Sequence, residues 1–316
     1  MTPACAFLLL AYFLFFLVLQ QRLPAGEVVL QWPFKWTTLT TYMQFTMIYA
    51  IIVEFRRGGV RLRDRDFWRE YAILLAVSTP YFTFFSSFGY SKSLIAYLNP
   101  YYLDPLLQKW DLWLHFGSLP WSWFADRLGD GRAYTLNNIY FTLWYVTMLL
   151  YTMCQMIAPP SPGRTQFLSS FVMLWVIAGI VVATLCASVG PVYYADFFHD
   201  GYSAANLAYA ERLYPPNVAT GILDTRALLL GFYHNDHMVD WNGISAMPSL
   251  HTAVAMLLAL HSYRYARRLS YVLIPFAAFI IVASVALGWH YALDTYVSAL
   301  LLWAIWTFNR WQQRSK

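Results

Sequence analysis

Charge is scarce in this chain of 316 residues. Asp, Glu, Lys and Arg make up 12% of it, about half the share that an average soluble domain carries, whereas 59% of the residues are hydrophobic. This composition excludes a soluble enzyme and a disordered regulator, because most of the surface cannot face water. Cysteine is scarce as well, since Cys5, Cys154 and Cys186 stand alone in or beside apolar runs. Their spacing indicates neither a metal site nor a disulfide-rich secreted module.

Long apolar runs dominate the sequence instead. A bilayer core of about 30 Å needs roughly 20 apolar helical residues. Runs of this kind occur at 4–20, 36–54, 71–89, 138–157, 167–187, 247–263, 269–288 and 291–309. The first run lacks the basic start and the small-residue cleavage site of a signal peptide, so we interpret it as a span. The sequence therefore predicts an all-α integral membrane protein with about eight transmembrane helices in one membrane domain.

Lys and Arg cluster between these runs and predict the topology. The clusters lie at 56–69, 264–268 and 310–316. Positively charged loops face the cytoplasm, so both termini and all three clusters are placed there. The net charge of +5 therefore reports membrane topology, and no nucleic-acid partner is expected. The outer face receives the two long connections, about 90–137 and 188–246.

The first long connection is rich in tryptophan. It is too polar to span the membrane and too aromatic for a free loop. Indole rings prefer the membrane interface, so the segment predicts interfacial helices. The residues that carry this prediction are Trp110, Trp113, Trp121 and Trp123.

Asp, Glu, Lys and Arg are absent from the interiors of the apolar runs. A secondary transporter places such groups near the middle of the membrane, where they mark the substrate pathway. Here the polar groups concentrate at the outer ends of the sixth and eighth runs instead. This distribution indicates chemistry at the membrane surface.

Two segments at these outer ends carry the chemistry. The first, GISAMPSLH at 243–251, places Pro248 where a helix begins, and the free N–H groups there favour an anion. Ser249 adds a hydroxyl, and His251 adds a protonatable donor. In the second, GWHYALD at 288–294, His290 and Asp294 are four residues apart on one helical face. A carboxylate at this position can fix the imidazole tautomer and leave the other nitrogen as nucleophile or base.

Each feature alone also has an ordinary structural explanation. A histidine at a helix end near the interface is commonly an amphipathic anchor, and an H-x-x-x-D pair occurs often by chance. The combination is more informative, because both segments begin helices on the same predicted side of the membrane with one hairpin between them.

These segments resemble the second and third signature motifs of the type 2 phosphatidic acid phosphatase superfamily. The Ala-Met-Pro-Ser-Leu-His form is most similar to its inositolphosphotransferase-like branch, which includes fungal inositol phosphorylceramide synthase. The resemblance implies a six-helix core at 71–316, preceded at 1–70 by two extra helices and a basic loop. It also implies that His290 is the nucleophile that takes up a phosphoryl group, that Asp294 orients it, and that His251 protonates the leaving group.

The chain departs from the family pattern where basic residues are expected. The place of the first motif, 188–194, contains no Lys or Arg, and Ser284 stands where an arginine precedes the nucleophile by six residues. Leu250 replaces the glycine of the second motif. The candidate phosphate ligands therefore come from other positions, and they are Ser249, Tyr193, Tyr194, Arg212 and Arg226. For each of the two arginines, a solvated charge on a loop is the alternative.

A polar cluster just before the second motif resembles a metal site. Its members are His234, Asp236, His237 and Asp240. A polar loop at a membrane surface has the same composition, and we interpret the cluster in this way. No metal and no cofactor are expected.

The sequence thus predicts a membrane enzyme that transfers or hydrolyses the phosphoryl or substituted-phosphoryl headgroup of a lipid through a phosphohistidine at the outer face. The acceptor is an alcohol or sugar in a transferase and water in a phosphatase. A transporter or scaffold without chemistry is the alternative, although it would have no reason to keep His251, His290 and Asp294 together. The short loops and the absence of Asn-x-Ser/Thr sites favour a bacterial inner membrane with a periplasmic active site.

Overall fold

A computed structural model describes residues 1–22, 43–44, 46–48, 50–51, 54–55, 58–59, 64–129, 132–215, 225–234 and 243–315. Within these ranges the regular structure is entirely helical. The longer helices are α1 (Pro3–Arg22), α2 (Arg65–Ser93), α3 (Asp104–Leu114), α4 (Arg132–Ile157), α5 (Pro162–Leu185), α6 (Ser203–Leu213), α7 (Thr225–His234), α8 (Leu250–Tyr265), α9 (Arg267–Ala286) and α10 (Ala292–Arg314).

The predicted apolar runs coincide with helices wherever the structure describes them. All of them except 36–54 fall on long helices, and that second run lies largely outside the described residues. Among the described helices, α5 and α9 have both the length and the hydropathy of a membrane span. The all-α prediction is thereby confirmed for the described part of the chain, and these two helices favour a membrane protein.

Helix α8 occupies the centre of the bundle. It packs against α4, α5, α9 and α10. Its buried positions include Ala253 and Ala255, whose small side chains let neighbouring helices approach closely. A helix that is buried on most of its faces belongs in the interior of a bundle. The motif residues at the start of α8 are therefore held by several helices at once.

Helix α1 belongs to the same packed core. It contacts α5, and its Tyr12 hydroxyl donates a 3.1 Å hydrogen bond to the Ser87 hydroxyl of α2. At its start, the Thr2 hydroxyl donates to the Asn309 side chain of α10 at 2.9 Å. The division of the chain near residue 70 stays a prediction.

Helix α5 changes its winding in the middle. Leu174–Val182 forms a π-helix, in which the backbone hydrogen bonds skip one residue more than in an α-helix. This segment places Trp175 and Gly179 on the wall of the cavity described below. Local π-winding therefore shapes one side of the candidate site.

The connection between α2 and α4 contains short helices, as the tryptophan pattern predicted. They are α3, Pro120–Phe124 and Ala125–Leu128. Trp110, Trp113 and Trp123 are 48%, 77% and 52% exposed, which suits an interfacial position. Trp121 is different, because it is buried with its ring centroid 4.0 Å from that of Tyr209. The prediction of an interfacial Trp121 is therefore wrong, since the side chain packs inside the protein.

Candidate active site

Ser249 begins α8 as its N-cap residue. Its hydroxyl accepts a 3.4 Å hydrogen bond from the backbone N–H of Thr252, and its carbonyl oxygen accepts one of 2.9 Å from the Ser298 hydroxyl. The side chain is fully buried. Because capping satisfies an otherwise unpaired N–H of the first helical turn, this serine has a structural role at the helix start.

His251 lies one residue into α8 beside aromatic rings of α4. The Trp144 ring centroid is 4.2 Å from the imidazole, and the Trp144 indole N–H donates a 2.9 Å hydrogen bond to the His251 carbonyl oxygen. Neither imidazole nitrogen has a hydrogen-bond partner among the described residues. The ring is therefore held by packing, and its nitrogens remain available to a ligand.

His290 is oriented through its Nδ1 atom. Nδ1 lies 2.8 Å from the carbonyl oxygen of Ala246 and 3.4 Å from Oδ2 of Asp294. A carbonyl oxygen only accepts, so Nδ1 carries the proton and Nε2 keeps its lone pair. The resemblance implied an orienting role for Asp294 alone. In the structure, the shorter contact comes from the backbone of the second motif.

Asp294 is fully buried at the start of α10. Its Oδ2 atom also accepts a 3.0 Å hydrogen bond from the N–H of Tyr291, which closes the first turn of the helix. Its Oδ1 atom has no partner within the described part of the chain. The carboxylate thus links the helix start to the imidazole.

His251 and His290 face one cavity of about 650 Å³. Their ring centroids are 6.3 Å apart. The two imidazoles are therefore close enough for one bound group to contact both.

The walls of this cavity are mainly aromatic. Among its described lining residues there is no Asp or Glu, and its polar side chains include Lys92, Asn138 and Ser245. The rings that line it are Phe88, Tyr140, Phe141, Trp144, Tyr145, Trp175, Tyr193 and Trp289. Such a cavity suits a ligand with an apolar portion and one polar group. Lys92 was missed because it follows the apolar run of α2 and belongs to no motif.

Two buried carboxylates of α3 hold the start of α10 in place. Asp111 accepts hydrogen bonds from the N–H groups of Ala292 at 3.2 Å and Leu293 at 3.1 Å. Asp104 accepts one of 3.2 Å from the Tyr291 hydroxyl. Carboxylates at a helix N-terminus satisfy unpaired N–H groups and interact favourably with the helix dipole. Burial raises the pKa of Asp104 and of Asp111 to about 6.

Asp104 also holds the segment 188–190, at the position of the family's first motif. Its Oδ1 atom accepts from the Ser188 hydroxyl at 2.9 Å and from the Gly190 N–H at 2.8 Å, and its Oδ2 atom accepts from the Val189 N–H at 3.0 Å. Gly190 has a φ of +87°, and a Cβ there would lie 2.5 Å from the Trp289 carbonyl oxygen. This segment therefore forms a tight turn around a carboxylate, packed against the backbone beside His290.

Of the predicted phosphate ligands, one lines the cavity and the others do not. Tyr193 lines the cavity and donates a 3.3 Å hydrogen bond to the Arg226 carbonyl oxygen. Tyr194 instead donates to Asp200 at 2.5 Å. Arg226 forms an ion pair with Asp196 at 2.6 Å and donates to the Val192 carbonyl oxygen at 3.1 Å.

Arg212 also lies away from the cavity, exposed near the end of α6. Among the predicted site residues, the structure therefore brings His251, His290, Asp294 and Tyr193 together. Asp294 joins this group through its contact with His290, but like Ser249, Tyr194, Arg212 and Arg226 it is not among the residues that line the cavity.

The described residues contain no group of three or more side chains suited to a metal ion. Of the polar cluster before the second motif, His234 ends α7. Asp236, His237 and Asp240 lie outside the described residues. The expectation of a metal-free site stays a prediction.

In a comparison with family models, the chain matches the model described as the PAP2 superfamily. The match spans residues 105–308, which is more than half of the chain and includes both histidine segments. The match begins after α2, so Lys92 lies outside it. No curated protein and no solved structure matches the chain.

Proposed function

This chain belongs to the PAP2 superfamily, and we propose that it is a membrane enzyme that transfers or hydrolyses a phosphoryl or substituted-phosphoryl group of a lipid. One observation carries the proposal. His290 has its Nδ1 atom hydrogen-bonded to a carbonyl oxygen, which leaves Nε2 with its lone pair, and it lines the same cavity as His251, whose nitrogens have no partner among the described residues.

In the proposed first step, Nε2 of His290 attacks the phosphorus atom of the lipid ester. A bond forms between this nitrogen and phosphorus while the bond from phosphorus to the leaving oxygen breaks. Protonated His251 donates its proton to that oxygen, so an alcohol departs. Asp294 and the Ala246 carbonyl oxygen hold the proton on Nδ1 and stabilise the positive charge that develops on the imidazole.

In the proposed second step, water or an alcohol attacks the phosphohistidine. Neutral His251 takes the proton of the attacking hydroxyl, the phosphorus–nitrogen bond breaks, and both histidines return to their starting states. Water gives hydrolysis, and an alcohol or sugar hydroxyl gives transfer. Neither step requires a metal ion or a cofactor, because an oriented imidazole is already a competent nucleophile near neutral pH.

The aromatic walls support a lipid as substrate. Rings from α2, α4 and α5 surround the space next to the histidines, so the apolar part of a lipid would be covered while its phosphate lies between the two rings. The same walls favour transfer over hydrolysis, because water finds few hydrogen-bond partners there. This argument, together with the form of the second motif, supports an inositolphosphotransferase-like activity; a phosphatase that uses water is the alternative.

We place the active site on the outer face of a membrane crossed about eight times. The three basic clusters support a cytoplasmic position for both termini. Helices α8 and α10 end at two of these clusters, and the histidine segments lie at the other end of each helix. A bacterial inner membrane with a periplasmic site is the setting that the short loops favour.

The experiment compares two substrates that differ in their leaving group. Purified protein is assayed with a lipid phosphate ester and with nitrophenyl phosphate, whose leaving group needs little protonation. His290→Ala should abolish turnover of both. His251→Ala should slow the lipid ester by about 10²–10⁴-fold and largely spare the activated ester. His199→Ala, at an exposed position of the outer connection, is the matched control and should behave as wild type.

Three results would argue against the proposed roles. Rescue of His290→Ala by the activated ester would mean that His251 is the nucleophile and His290 the general acid. Equal losses for both variants on both substrates would reject the division into nucleophile and acid. Absence of turnover with any phosphate ester, with and without added alcohols, would favour a scaffold that keeps the fold without the chemistry.

A further inference from the structure

A phosphate ester in this cavity needs a positive charge nearby. The ligand would bring one or two negative charges into a space lined mainly by aromatic rings, where an unpaired charge is costly. The places where the family pattern puts basic residues are occupied by uncharged ones, Ser284 among them. Arg226 is paired with Asp196, and neither it nor Arg212 lines the cavity. The charge must therefore come from another element.

Lys92 is positioned to supply it. It lies in the last turn of α2, and its side chain lines the same cavity as His251 and His290. The side chain has neither an ion pair nor a hydrogen bond to any residue that the structure describes. An ammonium group without a counter-ion at the edge of a membrane bundle is unfavourable unless a ligand pairs with it.

The position of Lys92 relative to the histidines fits an anion bound between them. The side chains of Lys92 and His251 line the same cavity, so a bound anion can lie between them. An anion bridging Lys92 and protonated His251 would remove their mutual repulsion. Since no Asp or Glu is among the described lining residues, an added anion meets no fixed negative charge in this cavity.

We propose that the Lys92 ammonium group binds the non-bridging oxygens of the phosphoryl group while His290 attacks the phosphorus atom. This inference rests on the proposed function and identifies the cation of its phosphate site. The cation would come from α2, which precedes the family match at 105–308. The anchoring charge would thus be supplied by a different element from the one that carries it in the family's first motif.

The test measures binding of inorganic phosphate to the full-length protein in detergent. Trp144, Trp175 and Trp289 line the cavity, so tryptophan fluorescence can report the titration. Loss of one charge-assisted hydrogen bond should raise the Kd of Lys92→Gln by roughly 10- to 100-fold. Lys92→Arg keeps the charge and should remain within a few-fold of wild type. Lys109→Gln is the matched control, because Lys109 is exposed on α3 and lies outside the cavity.

A stability measurement excludes a purely structural role for Lys92. Removing an unpaired ammonium should leave the melting temperature of Lys92→Gln in phosphate-free buffer at or above that of wild type. Phosphate should then raise the melting temperature of wild type and not that of Lys92→Gln. A folded Lys92→Gln that binds phosphate as tightly as wild type would overturn the inference. So would a lower melting temperature without phosphate, or no phosphate binding by wild type.

His290→Ala separates this inference from the proposed function. The variant should lose turnover and still bind phosphate, because the ammonium group remains. If His290→Ala turned over lipid esters normally while Lys92→Gln lost phosphate affinity, the anion site would stand and the proposed mechanism would fall. If His290→Ala were inactive and Lys92→Gln bound phosphate normally, the mechanism would stand and the Lys92 assignment would fall.

Discussion

Replacing Gly190 by alanine should disturb catalysis more than folding. A Cβ at this position would lie 2.5 Å from the Trp289 carbonyl oxygen and 3.1 Å from the Ala246 Cβ. Comfortable contacts need about 3.5 Å, so the neighbouring backbone must move by about 0.5–1 Å. Both neighbours adjoin His290, because Trp289 precedes it in the chain and the Ala246 carbonyl oxygen accepts from its Nδ1.

The expected magnitudes follow from this geometry. The backbone of Gly190, with a φ of +87° and a ψ of 165°, lies in a region that essentially only glycine adopts, and this conformation costs an alanine about 1–3 kcal/mol, which lowers the melting temperature by a few degrees. A misplacement of about 1 Å at a reacting group can reduce the rate about 10²-fold. We therefore expect kcat to fall by about 10- to 100-fold in a protein that remains folded.

The assay pairs turnover of nitrophenyl phosphate and of a lipid phosphate with a melting curve for each variant. Gly201→Ala serves as the control, because a Cβ there meets no atom within 4 Å and its backbone has an ordinary φ. It should match wild type in both measurements. If Gly190→Ala retained wild-type kcat, the turn at 188–190 would not position His290, and the reasoning would be refuted.

Four further predictions concern the site, its environment and the topology. Asp294→Asn should reduce turnover of lipid and activated esters alike, because the imidazole loses its carboxylate; a loss confined to one ester would contradict this role. Burial raises the pKa of Asp104 to about 6, so the folded state binds the proton of this carboxyl group more tightly than the unfolded state does. The protonated group therefore stabilises the folded state fully below about pH 4. This contribution of about 3 kcal/mol to the free energy of unfolding is lost as the pH rises through 6. The melting temperature of Asp104→Asn should therefore fall less across this range than that of wild type, and an equal fall would exclude Asp104 as the source. Turnover should persist in chelator and be inhibited by vanadate, whereas restoration by a divalent ion would point to a metal site in the polar segment before the second motif. An impermeant thiol reagent should label His199→Cys, but not Ser315→Cys, on intact cells, and the reverse pattern would invert the topology.

The apolar runs were sufficient to predict the long helices of the bundle, whereas α6 and α7 in the second long connection were not predicted. Each run is long enough to form a helix from its own residues, and those of α5 and α9 also have the length and hydropathy of a membrane span, so helix identity follows largely from local sequence. The spacing of His290 and Asp294 predicted that they share one helical face. In the structure their side chains do meet, but His290 lies in the turn before α10, which begins at Ala292, so the turn rather than the helix brings them together. Packing changes such predictions only where a side chain is able to lie either at the surface or in the core. Trp121 is an example, because its ring is buried against Tyr209 when the sequence alone suggests an interfacial residue.

The electrostatics of the site depend on contacts between residues far apart in the chain. Arg226 pairs with Asp196 in the structure, whereas Lys92, which belongs to no sequence motif, lines the cavity with His251. No sequence pattern links these positions, because the role of a charged side chain depends on which residues surround it in three dimensions. The same is true of Asp104, which accepts from Tyr291 across 187 positions of the chain.

The sequence alone therefore singled out two histidines and an aspartate as candidates, from their residue types and their places in the two segments. The tertiary structure decided how they are held. Ala246 orients His290 through a backbone carbonyl oxygen, a group that every residue type possesses and that no motif can mark. Whether a cation pairs with a carboxylate or faces an open cavity is likewise set by packing, since the long side chains of Lys and Arg can reach either.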